Sequence, residues 1–175
     1  MSKTVAFLLH SYFEQSEYAE VDRLLKDKGY NTVLITTNDD KQVQAMEGDV
    51  EKVGTYNADL FLKDANVDDY DAIVLPGGTV NADTIRQNQE AQRFVKQFYD
   101  ANKTVAAICH APWLLVNTGL VKGKTLTAYP SLQTDINNAG GTYVDKQVQQ
   151  DGVIITSRNP DDIEAFVEAI DKALS

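Results

Sequence analysis

The stretch KTVAAICHAPWLLVNTG, residues 103–119, joins a short apolar run to a helix-like pattern through one abrupt turn. The run at 104–110 is continuous in its apolar residues rather than alternating, which is typical of a strand buried on both faces of a parallel sheet. It ends at Cys109, the only cysteine of the chain, and His110 follows directly. The stretch therefore predicts a buried strand, a sharp turn that carries a thiol, and a helix.

Similar strand-length apolar runs occur at 4–10, 30–37, 71–78 and 152–157, with helical patterns between them. Strands that alternate with helices predict an open, doubly wound α/β sandwich, with a mostly parallel central sheet and helices on both faces. The pattern at 82–103 predicts a helical face, and the segment 40–68 predicts a short hairpin or extended excursion. We expect a single domain over 1–175 because no linker or repeat interrupts the chain.

The formal net charge of −10 over 175 residues argues against general nucleic-acid binding and against docking on anionic membranes. A lone cysteine forms no internal disulfide, which favours a reducing compartment. The apolar run in MSKTVAFLLHSYF is too short to span a membrane and lacks a cleavage pattern. These features predict a cytoplasmic protein, and nothing in the sequence indicates a metal or cofactor.

In an open α/β sheet, binding sites form beyond the carboxyl ends of the strands. Cys109 ends one strand there, and Gly77 and Gly78 follow another. A cysteine at a helix N-terminus favours the thiolate, and glycine lets backbone N–H groups approach a developing oxyanion. The alternatives are an inert buried cysteine and a plain turn after a strand.

Glu14, Glu17 and Glu20 are spaced by three and would share one face of a helix. Most such faces are solvated. Glu17 can instead point inward and share a proton with the Cys109 thiol. His10, at the end of the first strand, is expected to be structural rather than catalytic.

Taken together, these features resemble the PfpI family, a branch of the superfamily that also contains the Parkinsonism-associated deglycase and the class I glutamine-amidotransferase-like folds. The blocks that carry the resemblance include YDAIVLPGGTVNADTIRQN, AICHAP and TAYP. The resemblance implies a flavodoxin-like sandwich with the cysteine on a nucleophile elbow, and assembly into homo-oligomers.

The resemblance also implies roles for individual residues. Cys109 would be the nucleophile, His110 its neighbouring histidine and Glu17 the acid at the thiol. Gly78 and the backbone at His110 and Ala111 would form an oxyanion hole. Asp83 would reach the histidine of a partner subunit. Tyr129 would line the pocket, and Glu14 would lie at its mouth.

Three functions fit this pattern. Cys109 attacks a carbonyl of a small reactive aldehyde or a glycated group, as in glyoxalase or deglycase chemistry, or it attacks a peptide or amide. Alternatively, the thiol serves a redox or stress-response role by oxidising to sulfinate. A glutaminase partner of a synthetase fits poorly because no histidine follows His110. We favour the reactive-carbonyl enzyme.

Overall fold

The computed structural model describes residues 2–175, in which strands and helices alternate along most of the chain. The strands are β1 (Thr4–Leu9), β2 (Phe13–Glu14), β3 (Asn31–Thr36), β4 (Gln42–Glu47), β5 (Glu51–Asn57), β6 (Leu60–Phe61), β7 (Ala72–Leu75), β8 (Thr104–Ile108), β9 (Thr125–Leu126), β10 (Thr142–Tyr143), β11 (Gln149–Asp151) and β12 (Ile154–Ser157). The helices are α1 (Gln15–Asp27), α2 (Thr79–Arg86), α3 (Gln89–Asp100), α4 (Pro112–Thr118), α5 (Gln133–Asn138) and α6 (Ile163–Leu174).

Seven strands form the central sheet in the order β11-β12-β8-β7-β1-β3-β6. Every neighbouring pair is parallel except β11 with β12, which is antiparallel at one edge. This arrangement confirms the predicted mostly parallel sheet. Parallel pairing follows from the helical crossovers, which return each strand to the same direction.

Alternate residues of β1 enter two different cores. Ala6 and Leu8 pack into the core that contains Phe94 and Phe98 of α3. Phe7, on the opposite face, packs into the core that contains residues of α1 and α6. Because successive strand side chains point to opposite faces, a continuous apolar run requires helices on both sides. The predicted doubly wound sandwich is confirmed.

The helical pattern at 82–103 divides into two helices rather than one. Asn88 separates α2 from α3, and its side chain accepts a hydrogen bond from the backbone N–H of Ala91 at 2.9 Å. An asparagine that caps the next helix offers the backbone an alternative to continuing the first. The break leaves α2 as a short helix directly beyond the end of β7.

The segment 40–68 contains the predicted hairpin. β4 and β5 pair antiparallel, and β2 joins β4 in parallel to complete a separate three-stranded sheet. The hairpin turn passes through Asp49, a non-glycine residue with φ +68°. Aspartate is among the few residues that tolerate this left-handed conformation.

The order of the central sheet reverses beside β1. From β1 the chain builds β3 and β6 on one side, and then crosses to β7 and β8 on the other. The carboxyl ends of β1, β7 and β8 are therefore neighbours, at the kind of switch point where ligands bind in open α/β sheets. No helix within residues 2–175 is both long enough and apolar enough to cross a membrane.

Candidate active site

Cys109 occupies a sharp turn between β8 and α4. Its φ is +66°, a left-handed conformation that costs a non-glycine residue about 1–2 kcal/mol. Two backbone hydrogen bonds hold the turn: the N–H of Cys109 donates to the carbonyl of Ser157 at 3.0 Å, and the N–H of Tyr129 donates to the carbonyl of Cys109 at 2.8 Å. Pro112, at the first position of α4, fixes the start of the helix. The thiol is thus presented on a strained elbow that its neighbours hold in place.

Backbone N–H groups surround the sulfur. Those of His110 and Gly78 both hydrogen-bond to Cys109 and favour its thiolate. The N–H of Ala111 donates instead to the carbonyl of Ile108 at 3.1 Å. The implied oxyanion donor at Ala111 is therefore not available, because the tight turn after β8 uses it. The available donors are the N–H groups of His110 and Gly78.

Gly77 and Gly78 are needed for this close approach. A Cβ on Gly77 would lie 2.8 Å from the Cβ of Cys109 and would collide with the Glu17 carboxylate. Gly78 has φ +90°, and its Cβ would lie 2.6 Å from the backbone nitrogen of Glu14. Only glycine lets this loop approach both the thiol and the start of α1.

Glu17 lies fully buried behind the thiol. Its Oε1 accepts a hydrogen bond from the N–H of Gly77 at 2.8 Å, whereas Oε2 is buried without a well-formed partner. The Cys109 thiol is the side chain that interacts with the carboxyl. Burial, and then the nearby negative charge of Glu14, hold the pKa of Glu17 well above its usual range. The structure thus brings Glu17 to the thiol, while Glu20 is exposed and pairs with Arg23.

The pKa of the Cys109 thiol is also raised, first by burial and then by the charge of Glu17. The position of Cys109 at a helix N-terminus predicts instead a lowered pKa for its thiol. α4 has only seven residues, and burial together with a charged Glu17 outweighs the backbone donors. Burial therefore raises the pKa of both Cys109 and Glu17, and the two groups lie in contact, so the protonation of each depends on the other.

His110 lies beside the sulfur, with its Nδ1 3.2 Å from Sγ of Cys109. Its ring stacks on Tyr129, with centroids 4.5 Å apart and planes inclined by 23°, and meets the edge of Trp113. On the far side of the ring, Nε2 lies 3.5 Å from Oγ1 of Thr79 and 3.4 Å from Oγ of Ser131. Burial lowers the pKa of His110, and the charge of Asp49 partly opposes that effect. A neutral imidazole there can accept and return a proton at the thiol.

The remaining predicted residues divide between the pocket and the surface. Tyr129 is 41% exposed above His110. Glu14 directly precedes α1, and its Oε1 accepts a hydrogen bond from the N–H of Gly48 at 2.9 Å. Asp83 is exposed on α2 and forms no hydrogen bond or ion pair with the rest of residues 2–175. His10 is held by Thr37, at 2.9 Å from Nδ1, which fits a structural role.

These groups line a cavity of about 420 Å³. Its charged lining is entirely acidic, with no lysine or arginine, and the lining residues are Glu14, Ser16, Glu17, Glu47, Gly48, Asp49, Gly78, Cys109, His110, Tyr129 and Pro160. Among residues 2–175, no cluster of three or more histidine, cysteine or acidic side chains is arranged to hold a metal ion. The pocket fits a small molecule or the end of a longer one.

Asp49 and Thr79 are two further residues of the site, and the sequence patterns do not predict them. Asp49 accepts hydrogen bonds from both the backbone N–H and the hydroxyl of Thr79, at 2.8 and 2.6 Å. Two signals were present: Gly48-Asp49 is a hairpin-turn dipeptide, and Thr79 follows the glycine pair directly. Neither signal predicts that the two residues contact each other beside His110.

The fold and this site define a flavodoxin-like sandwich with a cysteine on a nucleophile elbow at the switch point of its sheet. The sequence matches the DJ-1/PfpI family over residues 3–173, and the chain belongs to that family. The resemblance drawn from the sequence is thereby confirmed.

Relatives cover nearly the whole chain. The Bacillus subtilis (strain 168) protein named "Putative cysteine protease YraA" is 38% identical over 166 residues, which cover 95% of this chain and 95% of that protein. General stress protein 18 of the same organism is 39% identical over 168 residues, with coverages of 95% and 94%. The crystal structure of Drosophila melanogaster DJ-1beta matches with a TM-score of 0.89 at 30% identity, and the match covers 99% of this chain and 91% of that chain.

Proposed function

We propose that this protein is a stress-protective enzyme that uses Cys109 to act on reactive carbonyls or glycated groups, in the manner of a glyoxalase or deglycase. The observation that carries the proposal is the elbow at Cys109, where backbone N–H groups and His110 surround one sulfur inside a small pocket. A nucleophile held beside a base and oxyanion donors is the arrangement that carbonyl addition requires.

With methylglyoxal, the sulfur of Cys109 forms a bond to the aldehyde carbon. The carbonyl electron pair moves to oxygen, which takes a proton and gives a hemithioacetal. His110 then removes the proton from that carbon, and the neighbouring ketone oxygen takes a proton to give an enediol. The hydroxyl of the first carbon then loses its proton as the second carbon gains one, so that the first carbon is oxidised and the second is reduced. Water attacks the resulting thioester, the carbon–sulfur bond breaks, and lactate leaves with the thiol restored. No external oxidant or reductant is needed.

The pocket charge favours neutral or cationic substrates. Glu14, Glu47 and Asp49 line it beside the buried Glu17, and no basic side chain balances them. A carboxylate or phosphate on a substrate would meet this negative field with little screening in a partly enclosed site. Methylglyoxal, and carbonyl adducts of lysine or arginine, do not carry that penalty.

Two alternatives use the same thiol. Peptide or amide hydrolysis would proceed through an acyl-enzyme on Cys109, and the name of the YraA relative favours it. A redox role would oxidise Cys109 to sulfinate, and the unpartnered Oε2 of Glu17 favours it, because a protonated carboxyl there can donate to a sulfinate oxygen. We also propose a homo-oligomer in the cytoplasm, without nucleic-acid or membrane partners.

Parallel assays of methylglyoxal consumption, peptide hydrolysis and peroxide oxidation distinguish these functions. We expect the wild-type protein to consume methylglyoxal and form lactate, and Cys109→Ser to lose at least about 10³-fold in rate. Peptide hydrolysis without methylglyoxal consumption would replace the proposal with the peptidase. Oxidation to sulfinate without turnover of either substrate would replace it with the redox role.

A further inference from the structure

We propose that Asp49 positions His110 through the hydroxyl of Thr79, which gives the site its orienting acid within a single subunit. The inference deepens the proposed function and rests on it, since it concerns how the proton carrier beside Cys109 is held. Asp49 and Thr79 would be positioning residues, because each acts through its neighbour rather than on the substrate.

The first link joins the hairpin to α2. Both oxygens of the Asp49 carboxylate are used: Oδ1 accepts the N–H of Thr79 at 2.8 Å, and Oδ2 accepts its hydroxyl at 2.6 Å. A threonine hydroxyl has one proton and two lone pairs. Because that proton is committed to Asp49, the hydroxyl oxygen presents only lone pairs to its other neighbours.

The second link joins Thr79 to His110. Oγ1 of Thr79 lies 3.5 Å from Nε2, so an Nε2–H that donates to it leaves the lone pair of Nδ1 facing the Cys109 sulfur 3.2 Å away. That is the tautomer a base needs. The longer contact is typical of a site without substrate, where such bonds tighten on binding. Ser131 offers a second oxygen to the same nitrogen at 3.4 Å, but its hydroxyl has no acid to fix its proton.

The hairpin turn holds the acid in place. Asp49 has φ +68°, and the preceding Gly48 is tied by its N–H to Glu14 at 2.9 Å. A non-glycine residue in this conformation persists where its surroundings hold it, and such strain concentrates at functional sites. The charge of Asp49 raises the pKa of His110 against the effect of burial, so it stabilises the imidazolium. The titratable groups that face the ring are Cys109, Asp49 and the stacked Tyr129.

The test compares Asp49→Asn, Thr79→Val and Thr79→Ser, with Asp64→Asn as the charge-removal control on an exposed residue away from the site. We expect Asp49→Asn and Thr79→Val each to lower kcat for methylglyoxal about 10- to 100-fold, as removal of an outer positioning partner typically does, with little change in KM. Thr79→Ser should recover most of the activity. The double variant Asp49→Asn with Thr79→Val should lose no more activity than the less active of the two single variants, because the two residues act as a unit.

Two readouts do not depend on turnover. Nuclear magnetic resonance titration of His110 should show a lower pKa in Asp49→Asn than in wild type, and alkylation of Cys109 should change its pH profile in both variants. If these readouts are unchanged while Cys109→Ser still abolishes methylglyoxal consumption, the relay is wrong and the proposed function stands. If wild type consumes no methylglyoxal but the titration moves as expected, the relay stands without that function. A loss in Ser131→Ala with none in Thr79→Val would also overturn the relay.

Discussion

Glu17 and Gly77 are joined by a buried hydrogen bond of 2.8 Å from the glycine N–H to one carboxyl oxygen. This bond fixes the carboxyl so that its other oxygen remains for the Cys109 thiol, and it also ties the loop after β7 to α1. One glutamate therefore contacts both the loop after β7 and the Cys109 thiol, and its charge acts on the pKa of that thiol.

The Glu17 carboxyl should act as a hydrogen-bond donor to the thiolate. Glu17→Gln keeps a neutral donor, so we expect its thiolate to form near the wild-type pH. Glu17→Leu removes the donor and should move thiolate formation about one pH unit higher. Ultraviolet absorbance of the thiolate against pH measures both. A thiolate that forms at much lower pH in Glu17→Gln than in wild type would mean that Glu17 is normally charged beneath a neutral thiol.

Burial of Glu17 should also make folding stability depend on pH. Its pKa in the folded state is well above the ordinary value of 4.5, so above that value the folded chain binds more protons than the unfolded one. The stability from this group is fully present below pH 4.5 and is lost as pH rises through the folded-state pKa. Urea unfolding across this range should show a steeper decline for wild type than for Glu17→Gln. If unfolding free energy falls equally with pH in wild type and Glu17→Gln, Glu17 is not the cause of the pH dependence.

Gly77→Ala should disrupt the site as well as the fold. The added methyl meets the Glu17 carboxylate and Cys109, so we expect a loss of about 1–3 kcal/mol in unfolding free energy and a slower alkylation of Cys109. Gly29→Ala is the matched control. It has φ +93° in open space, so it should lose about 1–2 kcal/mol from backbone strain alone and leave alkylation unchanged. Equal alkylation rates in the two variants would contradict the close approach at Gly77.

The acidic pocket should discriminate between aldehydes by charge. We expect kcat/KM for methylglyoxal to exceed that for the anionic aldehyde glyoxylate by about tenfold or more, since an unfavourable charge pair about 4 Å apart costs about 1 kcal/mol even in bulk water. Glu47→Gln should narrow the difference a few-fold, and added salt should do the same. Glu90 is an exposed residue on α3, so Glu90→Gln is the control and should leave the difference between the two aldehydes unchanged. Equal rates for the two aldehydes would exclude pocket charge as the determinant.

The sequence predicts the central sheet well because buried parallel strands leave continuous apolar runs, as at β1, β7 and β8. The family resemblance also implies that Cys109, Gly78 and Glu17 lie together, whereas the apolar runs alone do not give the strand order that brings them together. The donor that the resemblance implies at Ala111 is used by the turn after β8, because its N–H bonds to the carbonyl of Ile108, and the sequence does not show which backbone N–H groups such a turn uses. The contact between Asp49 and Thr79 depends on how the hairpin turn is placed beside α2. The spacing of apolar residues in the sequence does not predict that placement.

That hairpin belongs to a small sheet of its own, joined to β2 rather than to the seven-stranded sheet. Cys109 therefore follows a strand of the seven-stranded sheet, whereas Asp49 lies in a turn of the three-stranded sheet, and the two sheets have separate hydrogen-bond ladders. Val43 and Ala45 of β4 are fully buried in the core that also contains Phe7 and Cys109, so the side chains of the hairpin bind the small sheet to the sandwich even though no ladder of backbone hydrogen bonds does.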